Sequence, residues 1–134
     1  MISAEHIGIA VKNLAESIPL FEKLLNTACY KKELVVSEQV TTAFLKTGET
    51  KIELLQDEKE DGVINRFITK KGEGIHHIAF EVENIQEEIA RLKQAGYIFL
   101  NEEPKKGADN KLICFLHPKS TNNILIELCQ NISS

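Results

Sequence analysis

The chain has 134 residues, 43% of them hydrophobic and 27% charged, which is enough apolar material for the core of one compact domain. Its net charge of −4 supplies no basic footprint for nucleic acid or an anionic membrane, and its longest apolar run is about half a membrane span or less. With no charged-then-apolar leader at the start, the expectation is a soluble, cytoplasmic protein.

In chain order, residues 4–11 are short, apolar and β-branched and predict a buried strand. Asn13 followed by Glu16 has capping-box spacing and predicts a helix to about Asn26, with a kink expected at Pro19. Strands are expected at Lys31 to Val36, Gln39 to Lys46 and Lys51 to Leu55, the last two joined by a turn at Gly48. Val63, Ile64, Phe67 and Ile68 recur at helical spacing and predict a short linking helix, ended by Gly72 and Gly74. A strand at 75–82 follows, then a second capping signal, Asn84 to Glu87, and a helix to Gly96. Short strands are expected at about 97–100, 111–116 and 123–129, with a lysine-rich loop from Glu102 to Asn110. Cys29, Cys114 and Cys129 are an odd number without a CxxC pair, so they are expected to be buried thiols in a reducing compartment.

The second half repeats the first. His6-Ile-Gly-Ile-Ala-Val is matched by His77-Ile-Ala-Phe-Glu-Val, an offset of 71 from position 6 to position 77. Ile52-Glu-Leu-Leu-Gln56 is matched by Ile126-Glu-Leu-Cys-Gln130, an offset of 74 from position 52 to position 126. Two nearly equal offsets indicate a duplicated β-α-β-β-β unit. The expected organisation is a single domain over residues 1–134, with one module at about 1–57, a linker helix at about 58–72, and a second module at about 73–134.

Strand parity then selects the chemistry. His6, Gly8 and Ala10 share one face, as do His77, Ala79 and Glu81, while the bulkier residues take the opposite face and must pack on helices. His76 is therefore a neighbour on the helix side, and His77 is the counterpart of His6. Glu53 and Glu127 each stand in the middle of an I-E-L strand, where a bare buried carboxylate would be very costly. Each module thus offers one His and one Glu. If the modules lie edge to edge, His6, Glu53, His77 and Glu127 converge on a site for a divalent transition metal such as Co, Mn, Ni or Zn, with two positions left open. His117, in Leu-His-Pro-Lys, has no counterpart and is expected in a turn.

With these pieces in hand, H-I-G-I-A-V, K-I-E-L-L, G-E-G-I-H-H-I-A-F-E-V, N-E-E-P-K-K-G and F-L-H-P-K, the chain resembles the vicinal oxygen chelate superfamily. This is the glyoxalase/bleomycin resistance/dioxygenase group, and the nearest resemblance within it is to the methylmalonyl-CoA epimerase family, over roughly residues 4 to 130. The resemblance implies an α+β fold in which two paired βαβββ modules form a cupped mixed sheet, and metal ligands at His6, His77 and Glu127, with Glu53 as the fourth. It implies an isomerase that removes the C2 proton of methylmalonyl-CoA through a metal-stabilised enolate, with Glu127 and Glu53 as the catalytic carboxylates. It further implies an acyl-CoA partner, with phosphates near Lys105, Lys106 and Lys119, and a homodimer. The alternative is glyoxalase I, which shares the ligand pattern but often has a D-P-D-G turn where His117-Pro-Lys-Ser120 stands here, or another metal-dependent member of the superfamily. One departure bears on mechanism. Some epimerases have a glutamate base in the third strand; Thr42 stands at that place, and Glu38, Glu53 or Glu127 are candidate substitutes.

Overall fold

A computed structural model describes residues 2–132, so the outermost ends of the two expected modules lie outside the described residues. Two compact units divide the described residues: a first unit, His6–His76, and a second made of residues 2–5 and 77–132. The division falls inside strands β1 (Ser3–Ala10) and β5 (Gly74–Glu81).

The first unit continues with α1 (Leu14–Leu25), β2 (Lys31–Val35), β3 (Val40–Thr47), β4 (Thr50–Asp57) and α2 (Val63–Lys71). Its strands lie in the order β2-β3-β4-β1, antiparallel except for the β4–β1 pair, which is parallel. The second unit continues with α3 (Ile85–Gln94), β6 (Lys105–Lys106), β7 (Lys111–Leu116) and β8 (Ile126–Asn131). Its strands lie in the order β5-β8-β7-β6, again with one parallel pair, β5 with β8. Both units are β-α-β-β-β, and the chain is of the α+β class. No helix among the described residues is long and apolar enough to cross a membrane.

The helices form where the capping signals stand. Asn13 Oδ1 accepts from the Glu16 N–H at 3.2 Å, and Asn84 Oδ1 accepts from the Glu87 N–H at 3.0 Å. Each cap satisfies one of the amides a helix start leaves open, worth about 1 kcal/mol. A second amide at each start is met from the last strand of the same module. Leu14 N–H donates to Gln56 Oε1 and Ile85 N–H to Gln130 Oε1, both at 2.7 Å. The glutamine closing each I-E-L repeat therefore fixes its helix to its strand. Helix α1 runs through Pro19 and ends at Asn26, which takes the left-handed conformation at φ 52°.

Each unit buries its helix on one face of its sheet. Leu14, Ile18 and Phe21 of α1 pack with Ile9, Val11, Ala43, Leu45 and Leu54. Ile85, Ile89 and Leu92 of α3 pack with Phe80, Val82, Cys114, Leu116 and Leu128. Helix α2 lies on the other face of the first unit, where Ile64, Phe67 and Ile68 meet Ala10, Val40 and Leu55. The strand expected at 97–100 is reduced to a lone bridge between Phe99 and Leu116. Pairing stops there because Asn101 Oδ1, rather than a backbone carbonyl, accepts from the Phe115 N–H. The pairing strand is instead β6, two residues inside the lysine-rich loop.

Helix α2 has its start closed by a side chain from β4: Asp57 Oδ2 accepts from the Asn65 N–H at 2.7 Å. Gly62 lies so close to that carboxylate that a Cβ there would overlap it. Gly62→Ala is expected to lower stability by about 1–3 kcal/mol, as overpacking of a buried contact does. Urea unfolding checks this, and an unchanged midpoint would show that Asp57 is free to give way.

Candidate active site

In the first unit, β1 and β4 run parallel with Gly8 opposite Glu53, so the next inward residue of β1, His6, reaches the same carboxylate. His6 Nε2 lies 3.4 Å from Glu53 Oε1, and the two side chains are only 5% and 6% exposed. The second unit repeats this on β5 and β8, with Ala79 opposite Glu127. His77 Nε2 lies 3.3 Å from Glu127 Oε1, at 5% and 7% exposure. The residues of each predicted pair thus come together within their own unit.

An aromatic ring flanks each carboxylate. Phe44 on β3 is the register partner of Glu53, and Phe115 on β7 is the partner of Glu127. The Phe115 ring stands edge-on to His77, with centroids 6.0 Å apart at 89°. These rings exclude water beside the polar atoms and strengthen their interaction. They also stand 71 positions apart, in A-F-L and C-F-L, a match the sequence reading did not use.

The donor types fit a divalent metal. Imidazole nitrogens and carboxylate oxygens suit Zn, Co, Mn and Ni, and His6, His77 and Glu127 are all buried residues of metal-holding types.

The other histidines are placed elsewhere. His76 has its ring 5.0 Å from that of Phe67 on α2, edge to face, and so packs against the linker helix. His117 stands in a turn as expected, its Nδ1 accepting from the Lys119 N–H at 3.1 Å and capping the short helical turn Pro118–Ser120. Lys105 and Lys106 are exposed on β6. Lys119 is exposed beside a shallow depression lined also by Gly96, Tyr97, Ile98 and Ser120. Thr42 is buried and donates to the backbone carbonyl of Glu33 at 3.3 Å, while Glu38 sits in the exposed turn between β2 and β3.

One buried feature escaped the sequence reading. Lys111 is 4% exposed, with Nζ 3.6 Å from Glu81 and 3.9 Å from Glu5, and it is also bonded to Asn131 Oδ1. A lysine in the short apolar strand K-L-I-C-F-L was the available signal, since an apolar strand cannot bury an ammonium without partners. Cys114 and Cys129 are buried as expected, whereas Cys29 is only partly so; Cys129 lies two residues along from Glu127 and on its face. Burial raises its thiol pKa first, and the nearby Glu127 and Glu5 charges raise it further, so it stays a neutral thiol.

Comparison with known proteins identifies the lineage. A sequence profile of the glyoxalase/bleomycin resistance protein/dioxygenase superfamily matches residues 5–115. The chain belongs to that superfamily. Within it, an ethylmalonyl-CoA/methylmalonyl-CoA epimerase of Cereibacter sphaeroides is 39% identical over 127 residues, 93% of this chain and 95% of the relative. A Streptomyces coelicolor methylmalonyl-CoA epimerase variant, solved with 2-nitronate-propionyl-CoA, superposes with a TM-score of 0.92 at 29% identity, covering 98% of this chain and 95% of that one. A methylmalonyl-CoA epimerase holding methylmalonyl-CoA and ammonium gives 0.91 at 29% identity, over 97% and 94%. This superfamily member therefore stands in the methylmalonyl-CoA epimerase family, and its class is isomerase.

The burial pattern sets the thiol chemistry apart from the site. At neutral pH a thiol reagent such as Ellman's is expected to modify Cys29, which is partly exposed, while Cys114 and Cys129 react only after unfolding. Rapid labelling of all three in the native protein would contradict the placement of Cys129 against Glu127.

Proposed function

We infer that the chain interconverts the C2 epimers of methylmalonyl-CoA and needs a divalent metal to do so. The observation that carries this reading is the repeated buried His–Glu pair, one in each module, in a member of the methylmalonyl-CoA epimerase family. His6, Glu53, His77 and Glu127 would hold the cation. When bound, it supplies positive charge beside the thioester oxygen, where negative charge develops as the C2 proton leaves.

The residues have separable tasks. The two imidazoles are ligands only. Glu53 and Glu127 serve as ligands, and one of them, keeping an oxygen for the task, also carries a proton for one face of C2. Phe44 and Phe115 keep water from the polar atoms beside them. Lys105, Lys106 and Lys119 are exposed cations suited to the phosphates of the coenzyme A tail, where charge-assisted contacts orient without entering the chemistry. The working form is read as a homodimer, after the superfamily resemblance.

Proton NMR in D2O tests the reading. The metal-loaded protein is expected to wash out the C2 proton signal of methylmalonyl-CoA, and a chelator to abolish the exchange. His77→Ala should slow it by about 100-fold or more, the scale of losing one electrostatic group from an active site. Verified metal-loaded protein that exchanges nothing would sink the proposal. Turnover of the glutathione hemithioacetal of methylglyoxal in its place would assign glyoxalase chemistry.

A further inference from the structure

Inversion at C2 takes a proton from one face of the carbon and returns one to the other, so two proton carriers are needed. The inference here rests on the epimerase reading and names one of them. In the first unit, strand register arranges the His6 and Glu53 face in rows. One row is Gly8, Glu53, Phe44 and Lys31; the next is Ala10, Leu55, Thr42 and Glu33. Thr42 holds the central place of the second row and brings only a hydroxyl, which is bonded to a backbone carbonyl.

The strands of this face carry three carboxylates among the described residues: Glu53, Asp57 and Glu33. Glu53 is engaged with His6. Asp57 is 7% exposed and closes the start of α2. Glu33 differs from both. Its side chain is 31% exposed, next to Thr42 in register, and its Oε1 lies 3.4 Å from Lys31 Nζ. Lys31 in turn stands 5.7 Å from the centroid of the Phe44 ring, the neighbour of Glu53. Two strand spacings and two residues separate Glu33 from Glu53, about 12 Å between backbones, with both side chains on one face. An acyl group held at Glu53 would therefore share a sheet face with Glu33.

We propose that Glu33 is the proton-transferring carboxylate for one face of the substrate's C2 carbon, taking the place that Thr42 leaves without one. In the forward direction the C2–H bond breaks, its electron pair passes to the thioester oxygen, and the proton forms an O–H bond on Glu33. In the reverse direction Glu33 returns that proton to carbon. A ligand carboxylate serves the opposite face. Lys31 holds the Glu33 side chain against the row in which Glu53 stands.

Single-epimer exchange in D2O tests this with metal-loaded wild type, E33Q and E33D. Wild type is expected to exchange the C2 hydrogen of either epimer and to interconvert them. E33Q should interconvert them about 100-fold more slowly or worse, within the usual range for one acid–base group. It should still exchange one epimer, with retention, and fail to exchange the other. E33D, which keeps a carboxylate, should recover part of the lost exchange, and calorimetric affinity for substrate should be unchanged in both variants. E33Q that slows both epimers equally, or neither, overturns the proposal, because a merely structural role cannot distinguish the faces of one carbon. Wild type that exchanges neither epimer overturns the epimerase reading and this one together, and is thereby told apart from failure of Glu33 alone.

Discussion

A carboxylate buried in the middle of an apolar strand is tolerable only with a partner, and this constraint governs both halves of the protein. Glu53 and Glu127 are each about 95% shielded from water. Left alone, either would cost several kcal/mol. Each has an imidazole from a parallel neighbouring strand, and the placement is a matter of register. A slip of one residue in β1 against β4 would turn His6 to the helix side and leave Glu53 bare. The parallel pair in each module is the element whose alignment has least freedom.

Register needs enforcement, and the glutamines supply part of it. Gln56 and Gln130 each follow their glutamate by three residues and reach across to the first turn of the module's helix. Strand, helix start and paired carboxylate thus form one local unit. The asparagine caps set where each helix begins, and the glutamine bonds set where that beginning lies relative to the last strand. Helix packing on the opposite sheet face, through Leu14 in one module and Ile85 in the other, then holds the arrangement.

Much of this was legible in the letters. The 71-residue offset exposed the repeated β-α-β-β-β pattern, and period-two alternation separated His77 from His76. Capping spacing located α1 and α3 to within a residue or two. What stayed hidden had physical causes. A two-residue strand of lysines, β6, carries no hydrophobic period at all. The expected strand at 97–100 reads as apolar, yet an asparagine side chain takes the bond its ladder needed. Glu33 alternates with lysines in a polar edge strand, and only the register of β2 on β3 sets it beside Thr42. Lys111 reads as a strand terminus in sequence, and its burial depends on acids about 30 residues before it and at the far start of the chain.

That buried lysine makes the two repeats unlike. On the face that carries the His–Glu pair, the first module closes its far end with apolar side chains from α2, while the second closes its own with Lys111, Glu5, Glu81 and Asn131. The two repeats are therefore not interchangeable. One depends on the linker helix between them, and the other on Glu5, which β1 supplies from outside the second module. Neither repeat, copied twice, would supply both closures.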